Sequence, residues 1–406
     1  MANFTTIKTD ILIIGAGGAG LRAAIEATKD EDVKVAVICK SLLGKAHTVM
    51  AEGGMAASLG NVDSDDSWEV HFRDTVKGAK YLNNWKMAEI HAKEAPERVK
   101  ELERFGAVFD RTESGDIHQR PFGGHSYSRL AHVGDRTGLE MIRSLQDKAV
   151  HQGMEVFMEY RVVKLFRNDS GICGALAYNR HNSDFVLFEC KAVILATGGC
   201  GKCWSVQTNS WEGTGDGHAL AFDIGAEMID MEFMQFHPTG MVWPLSVKGV
   251  LVTEGVRGEG GILKNSEGER FMFNYIPEAF KNDVADNEDE ANNWVAGDRA
   301  NNRKPPELLT RDVVAKAILA EVKAGRGSEH GGAYLDIASQ RPADFIKKKL
   351  PSMHHQFKQL ADVDITKDPM EVGPTAHYIM GGVHTDPESC ESVTVPGLFA
   401  CGEVAG

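Results

Sequence analysis

An α/β chain, in which a Rossmann-like dinucleotide-binding domain is interrupted by a smaller α+β domain, is what the sequence predicts, and three observations predict it. Residues 10–39 read as strand, helix and strand, the pattern of a βαβ unit, for which a right-handed crossover is the default. Between the first strand and the helix stands Gly15-Ala16-Gly17-Gly18-Ala19-Gly20, a G-x-G-x-x-G turn. After His237-Pro238-Thr239-Gly240 the texture changes to glycine-rich turns, a polar acidic stretch over 282–293 and the Pro305-Pro306 pair. The boundaries that follow are 1–239 for the first part of the dinucleotide-binding domain, 240–351 for the interrupting domain and 352–406 for the return.

A length of 406 residues exceeds one typical core, which agrees with more than one domain. Hydrophobic residues at 42% and charged residues at 25% exclude a disordered chain. No run approaches the ~18 consecutive apolar residues of a membrane-spanning helix. The net charge of -14 opposes non-specific contact with nucleic acid or an anionic lipid surface, so no nucleic-acid partner is expected. Any anionic substrate must then meet a local positive site. Seven scattered cysteines make no disulfide framework and point to a reducing compartment. The first strand begins near Asp10, which leaves no room for a cleavable signal peptide, and a mature, cytoplasmic amino terminus is the expectation.

Further helices are expected at 65–76, 86–104 and 138–152, the last opened by a capping box of Thr137 and Glu140. Strands follow at 155–166, 172–179, 185–190 and 191–196, the last ending in Thr197-Gly198-Gly199. The acidic stretch over 282–293 reads as a solvated surface insertion. Cys200-Gly201-Lys202-Cys203 has C-x-x-C spacing but no second pair, and His354-His355 has no third ligand nearby, so no metal is assigned to either.

The glycine turn carries the chemistry of a pyrophosphate site. Its first glycine permits the turn, the second lets pyrophosphate approach the backbone, and the third lets helix and strand pack closely. The carboxylate that would bind an NAD ribose at the end of the second strand is missing, Cys39, Lys40 and Ser41 standing there instead. That points away from a nicotinamide enzyme.

Several other segments occur in one order over essentially the whole chain: Ala46-His47-Thr48 leading into Ala51-Glu52-Gly53-Gly54, Thr214-Gly215-Asp216-Gly217, His237-Pro238-Thr239-Gly240, Thr253-Glu254-Gly255, Arg257-Gly258-Glu259-Gly260-Gly261, Thr310-Arg311-Asp312 and Thr375-Ala376-His377-Tyr378. Together they resemble the flavoprotein subunit of the succinate dehydrogenase and fumarate reductase family. The resemblance implies a Rossmann-like FAD-binding domain interrupted by a capping domain, with FAD as the dinucleotide, bonded covalently through His47. It implies cofactor contacts from Gly15, Ala16, Gly17, Gly18, Ala19, Gly20, Lys40, Ser41, Thr48, Glu52, Gly53, Gly54, Asp216 and Glu403.

His237, Thr253 and His377 match the family's carboxylate-binding positions, and Phe122 its aromatic beside the substrate, although a phenylalanine flanked by glycines has plain packing as an equal reading. Arg311 matches the arginine that moves the proton, and Glu254 and Arg257 the relay between it and solvent. Arginine is an unusual acid because its pKa exceeds ~12, so desolvation and neighbouring charge must bring it into use. The resemblance implies interconversion of succinate and fumarate, with electrons passing to or from quinone by way of an iron-sulfur subunit. Attachment to the inner face of the cell membrane would be peripheral, through anchor subunits.

Some departures qualify the expectation. A second substrate-binding arginine, in an Asn-Arg-Leu-Gly segment, and a helical carboxyl-terminal domain are not found before Gly406, so the chain is expected to be a piece of the family's length. Val256 stands where many relatives have cysteine, and Glu52 where they have Glu or Gln, which tilts the direction slightly toward fumarate reduction. Two rival readings remain at this level: a soluble flavoenzyme like L-aspartate oxidase, which holds FAD noncovalently, and a catalytically silent flavin-binding fragment.

Overall fold

The computed structural model describes residues 5–406. Its first sheet is five parallel strands in the order Leu398–Ala400, Ala192–Leu195, Ile11–Ile14, Val35–Cys39 and Glu155–Met158. Alternation along the strands sends their side chains into two different cores. Leu12, Ile14, Ala36 and Ile38 face a layer formed by a second sheet, in the order Thr5–Lys8, Phe185–Glu189, Gly171–Asn179 and Tyr160–Asn168. Ile13, Val35 and Val37 face the helix Gly18–Ala27, where they meet Ala24. Burial on both faces is why these strands read as unbroken apolar runs.

The run expected as one strand over 155–166 is two, Glu155–Met158 and Tyr160–Asn168. Glu159 sits between them at φ 62°, and there the chain passes from the parallel sheet to the mixed second sheet. Apolar periodicity alone does not reveal such a switch, because both halves are legitimate strands.

Residues 234–379 build the other domain on an antiparallel sheet in the order Met234–Met241, Met370–Ile379, Ala333–Asp336 and Ile262–Lys264. The helix Arg311–Lys323 lies against it, burying Val314, Ala317 and Ile318 with Leu335, Met370 and Val372. Gly240 falls inside the first strand of this sheet. Pro351 opens the helix Pro351–Leu360, whose Met353 and Phe357 belong to this second core. We therefore place the chain's return to the first domain after Ile379 rather than near Pro351: proline here fills the first turn of a helix, where its missing N–H costs nothing.

Helices at Trp68–Gly78, Trp85–Arg104 and Thr137–His151 form a third packed unit beside the first sheet. The capping box expected at Thr137 and Glu140 is absent. Thr137 Oγ1 accepts from Val133 N at 3.2 Å, and the Glu140 carboxylate accepts from Val108 N at 2.8 Å. The helix start is fixed instead by docking, with Gly138 N donating to Ala51 O at 2.6 Å, and a Cβ on Gly138 would overlap the Thr48 carbonyl. The acidic stretch is exposed but tied down: Glu290 accepts from Arg303 Nε at 2.7 Å, and Asp283 pairs with Lys77 at 2.7 Å. No helix among the described residues is long and apolar enough to cross a membrane.

Candidate active site

One cleft of about 580 Å³, within the size range of small-molecule sites, runs from the glycine turn to the junction of the two domains. At its first end, Gly15 adopts φ 114°, and a Cβ there would overlap the Ala196 carbonyl at the tip of the neighbouring strand. A Cβ on Gly20 would overlap the Gly15 carbonyl, so the third glycine is what lets helix and turn touch. The N-cap residue, Gly17, has no side chain to cap the helix Gly18–Ala27, so apart from the Gly18 N–H its amino end is left to face the cleft, where an anion would be stabilised. Gly18 N donates to Thr48 Oγ1 at 3.1 Å, tying the turn to the segment that carries His47.

Beyond the second strand, Lys40 Nζ lies 2.6 Å from Asp216 Oδ2 and 2.6 Å from Thr214 Oγ1. Arg161 Nη2 reaches the other Asp216 oxygen at 3.2 Å. Burial raises the Asp216 carboxyl, but Lys40 and Arg161 outweigh it and hold the group below its usual range. The lysine standing in place of a ribose-binding carboxylate is thus paired across the cleft with a residue 176 positions away.

His47 opens the short 3-10 turn His47–Met50, and its Nδ1 accepts from Ser210 N at 3.2 Å. Burial pushes its pKa down, against a small opposing pull from Glu212. An imidazole that accepts at Nδ1 carries its substituent, proton or carbon, at Nε2. Glu52 follows on the same wall, its carboxyl pushed up to about 8 by burial and by Asp135, with Arg120 opposing. Its Oε2 is buried without a hydrogen-bond partner. Glu403 is likewise raised to about 7 by burial, although it accepts from Ile379 N at 3.1 Å.

At the domain junction His237 and His377 face each other, ring centroids 5.1 Å apart. Burial, then Arg311, drives both pKa values down, His377 to about 3 and His237 well below its ordinary value, so both rings are neutral at pH 7. His377 Nδ1 lies 2.7 Å from Thr208 Oγ1, and His237 Nδ1 lies 3.0 Å from Thr239 O. Thr253 is buried beside them, its Oγ1 accepting from Gly255 N at 3.2 Å.

Arg311, 25% exposed, is the cation that reaches this end of the cleft. Its Nε donates to Glu254 Oε2 at 3.1 Å and its Nη1 to Gln235 Oε1 at 2.7 Å, while its guanidinium carbon lies 5.8 Å from the centre of the Phe122 ring. Its chain neighbour Asp312 turns away, pairing with Lys80 and Thr310. Glu254 is buried: desolvation raises its carboxyl, but Arg257 and Arg311 together hold it below the usual range, hence ionised. Its second oxygen accepts from Gly123 N at 2.8 Å, and a Cβ on Gly123 would overlap that oxygen. Arg257 stands behind Glu254, Nη2 to Oε2 3.4 Å, wholly buried and off the cleft, with Nη1 donating to Glu307 O at 2.6 Å.

The candidate residues therefore gather along one cleft except Gly20, which packs against the Gly15 carbonyl behind the turn, and Arg257, which touches the cleft only through Glu254. Sequence reading missed Gln235, Gly123 N, Ser210 N and Thr208. Gln235 was legible, since it stands two residues before His237 on one strand and shares its face. The backbone donors carry no residue-type signal at all.

The family model described as an FAD binding domain matches residues 10–406. The chain is 46% identical over 400 residues to a fumarate reductase (CoM/CoB) subunit of Methanothermobacter marburgensis, covering 98% of this chain and 67% of that protein. It is 38% identical over 426 residues to the succinate dehydrogenase flavoprotein subunit of Coxiella burnetii, covering 100% and 67%. Among solved structures it is similar to Mycobacterium smegmatis Sdh1 in complex with UQ1, at 57% identity and TM-score 0.78, over 99% of this chain and 64% of that one. It is also similar to the E. coli quinol fumarate reductase FrdA, at 35% identity and TM-score 0.88, over 99% and 66%. The chain spans about two thirds of the length of these relatives.

Proposed function

The chain belongs to the FAD-binding family of succinate dehydrogenase and fumarate reductase flavoprotein subunits, and from that premise we propose that it interconverts succinate and fumarate on an FAD bonded covalently to His47. The observation that carries the reading is one continuous cleft, which joins the glycine turn and His47 at one end to His237, Thr253, His377 and Arg311 at the other. The residues fit the cofactor. Glycines cradle the place of its pyrophosphate where a Cβ would not fit, and the Ser210 donor directs His47 so that Nε2 is the atom left for a carbon substituent. FAD bound there supplies the acceptor and donor of a hydride.

The protein's own groups bind, orient and move a proton. Two neutral imidazoles and the Thr253 hydroxyl offer donors to carboxylates without a charge that repels them, and the Arg311 guanidinium supplies the positive charge. Arg311 is also the acid-base group at the carbon next to the one that exchanges hydride. Its Nε contact with the ionised Glu254 gives the proton a path, and Arg257 behind Glu254 extends it. An iron-sulfur subunit takes or gives the electrons, with quinone beyond it and peripheral attachment to the inner face of the cell membrane through anchor subunits.

Expressed with its maturation machinery and then denatured, the protein should retain flavin fluorescence in a gel, and His47→Ser should lose it. Flavin released from the matured wild type would favour a noncovalent enzyme resembling L-aspartate oxidase.

A further inference from the structure

A second cleft, of about 700 Å³, opens between the helix Trp68–Gly78 of the first domain and the segment 280–310 of the second. It backs onto the site just described. Phe122 lines both clefts, and Leu309 and Thr310 line the second while the next residue, Arg311, lines the first. The partition is thus one aromatic ring and two short backbone segments, joined by a bond of 3.2 Å from Gly124 N to Leu308 O.

The charges around this cleft are unequally satisfied. Its three carboxylates are engaged: Asp283 by Lys77 at 2.7 Å, Asp74 by Arg129 at 2.8 Å and by Ser126, and Asp63 by Ser128 N at 2.6 Å. Three cations are not matched by a carboxylate within ion-pair distance. Lys304 Nζ donates to His125 O at 3.0 Å, and Arg299 donates to Ser128 Oγ at 3.0 Å and lies 4.6 Å from the Trp294 ring centre. Arg73 is exposed and makes no ion pair among the described residues. The lining carries five cations, Arg73, Lys77, Arg299, Arg303 and Lys304, against three carboxylates, Asp63, Asp74 and Asp283, and in a chain of net charge -14 that local excess is a place where an incoming dianion is attracted rather than repelled.

We infer that this second cleft is the entry vestibule for the dicarboxylate, in which Lys304, Arg299 and Arg73 collect the dianion and pass it to Arg311 when the Phe122 ring moves aside. The inference rests on the dicarboxylate reading of the first cleft. It adds a binding station and a door. Groups that steer a ligand raise its association rate and leave the lifetime of the final complex unchanged, which separates them from groups that hold it.

The test is rapid mixing of malonate, a three-carbon dicarboxylate, with the full-length flavin-loaded protein, followed by flavin absorbance at several ionic strengths. In the Arg299→Gln/Lys304→Gln variant the association rate constant should fall about tenfold at low salt with the dissociation rate unchanged, and the deficit should shrink as salt screens the wild type. Arg299→Lys/Lys304→Arg should restore the wild-type rate. Arg73→Gln, at an exposed position with no ion pair among the described residues, should lower the rate by a smaller factor. Association rates equal to wild type at low salt in the glutamine variants, or a change confined to dissociation, would overturn the vestibule. A wild-type flavin indifferent to malonate would instead remove the dicarboxylate reading, and the vestibule with it.

Discussion

Arg311 is held at two points, by Glu254 through Nε and by Gln235 through Nη1, and only a planar fork reaches both acceptors at once. Lysine at this position keeps a positive charge but offers one compact ammonium group. Arg311→Lys should therefore retain its flavin yet lose at least about a hundredfold in turnover with succinate or fumarate, the scale of a lost general acid. Steady-state assay of the full-length variant with an artificial electron carrier, beside its flavin content, checks this. Near-normal turnover would take the proton-transfer role away from Arg311. The two imidazoles differ from it in kind, since burial and Arg311 keep them neutral and they act as donors, not charges.

Two elements are held in place by contacts that leave little slack. In the βαβ unit the carbonyl of Gly15 occupies the space where a Cβ of residue 20 would be, so Gly20→Ala must push the helix Gly18–Ala27 off the turn. The cost expected for such overpacking is about 1–3 kcal/mol, together with weaker flavin retention, read by chemical denaturation and by flavin content after gel filtration. In the second domain the turn Pro306–Leu308 is fixed by a buried pair, Arg270 Nε and Nη2 to the two Glu307 oxygens at 2.7 and 2.9 Å. The Glu307 carbonyl in turn receives the hydrogen bond from Arg257. Glu307→Ala strands Arg270 without its partner and should cost about 3–5 kcal/mol. Glu307→Gln keeps an acceptor and should fold, but with Arg257 less firmly placed it should lower kcat more than it changes KM. Unchanged kcat in that variant would mean that Arg257 does not depend on this turn.

For the molecule as a whole, buried neutral histidines set the response to acid. His71 is 2% exposed with its Nδ1 unpartnered, and burial brings its pKa down to about 3. Burial also lowers His118 to about 4 and His377 to about 3. In the unfolded chain such groups take up a proton near 6.5. Below that pH the unfolded state therefore binds more protons than the fold, and stability present above about 6.5 is lost as pH falls toward these lowered values. Glu52 and Glu403, raised to about 8 and about 7, act in the opposite sense: their contribution is present below the ordinary carboxylate range and is lost as pH rises through those values. The melting temperature should thus fall between pH 6.5 and 4.5, and His71→Phe should reduce that fall by removing one of the groups that must stay neutral. A calorimetric series at several pH values decides it, an unaltered slope in the variant counting against His71.

Apolar periodicity and glycine spacing were enough for the βαβ unit and its glycine turn, because both are local constraints, whereas the side chains placed along the cleft were named through the motif order that resembles the family. Local pattern failed wherever a longer-range contact competed. The helix Thr137–His151 is anchored by Gly138 against Ala51 and Thr48 instead of by its capping box. The run over 155–166 changes sheets at Glu159, and Pro351 opens a helix of the second core. Gly123 N and Ser210 N reach the site as backbone donors, which no residue type announces. The pairing of Lys40 with Asp216, the burial that neutralises His237 and His377, and the partition of two clefts by Phe122 are properties of surfaces that meet only when distant segments pack. Charge and hydrogen-bonding state depend on solvent exclusion, and solvent exclusion is decided by the tertiary fold.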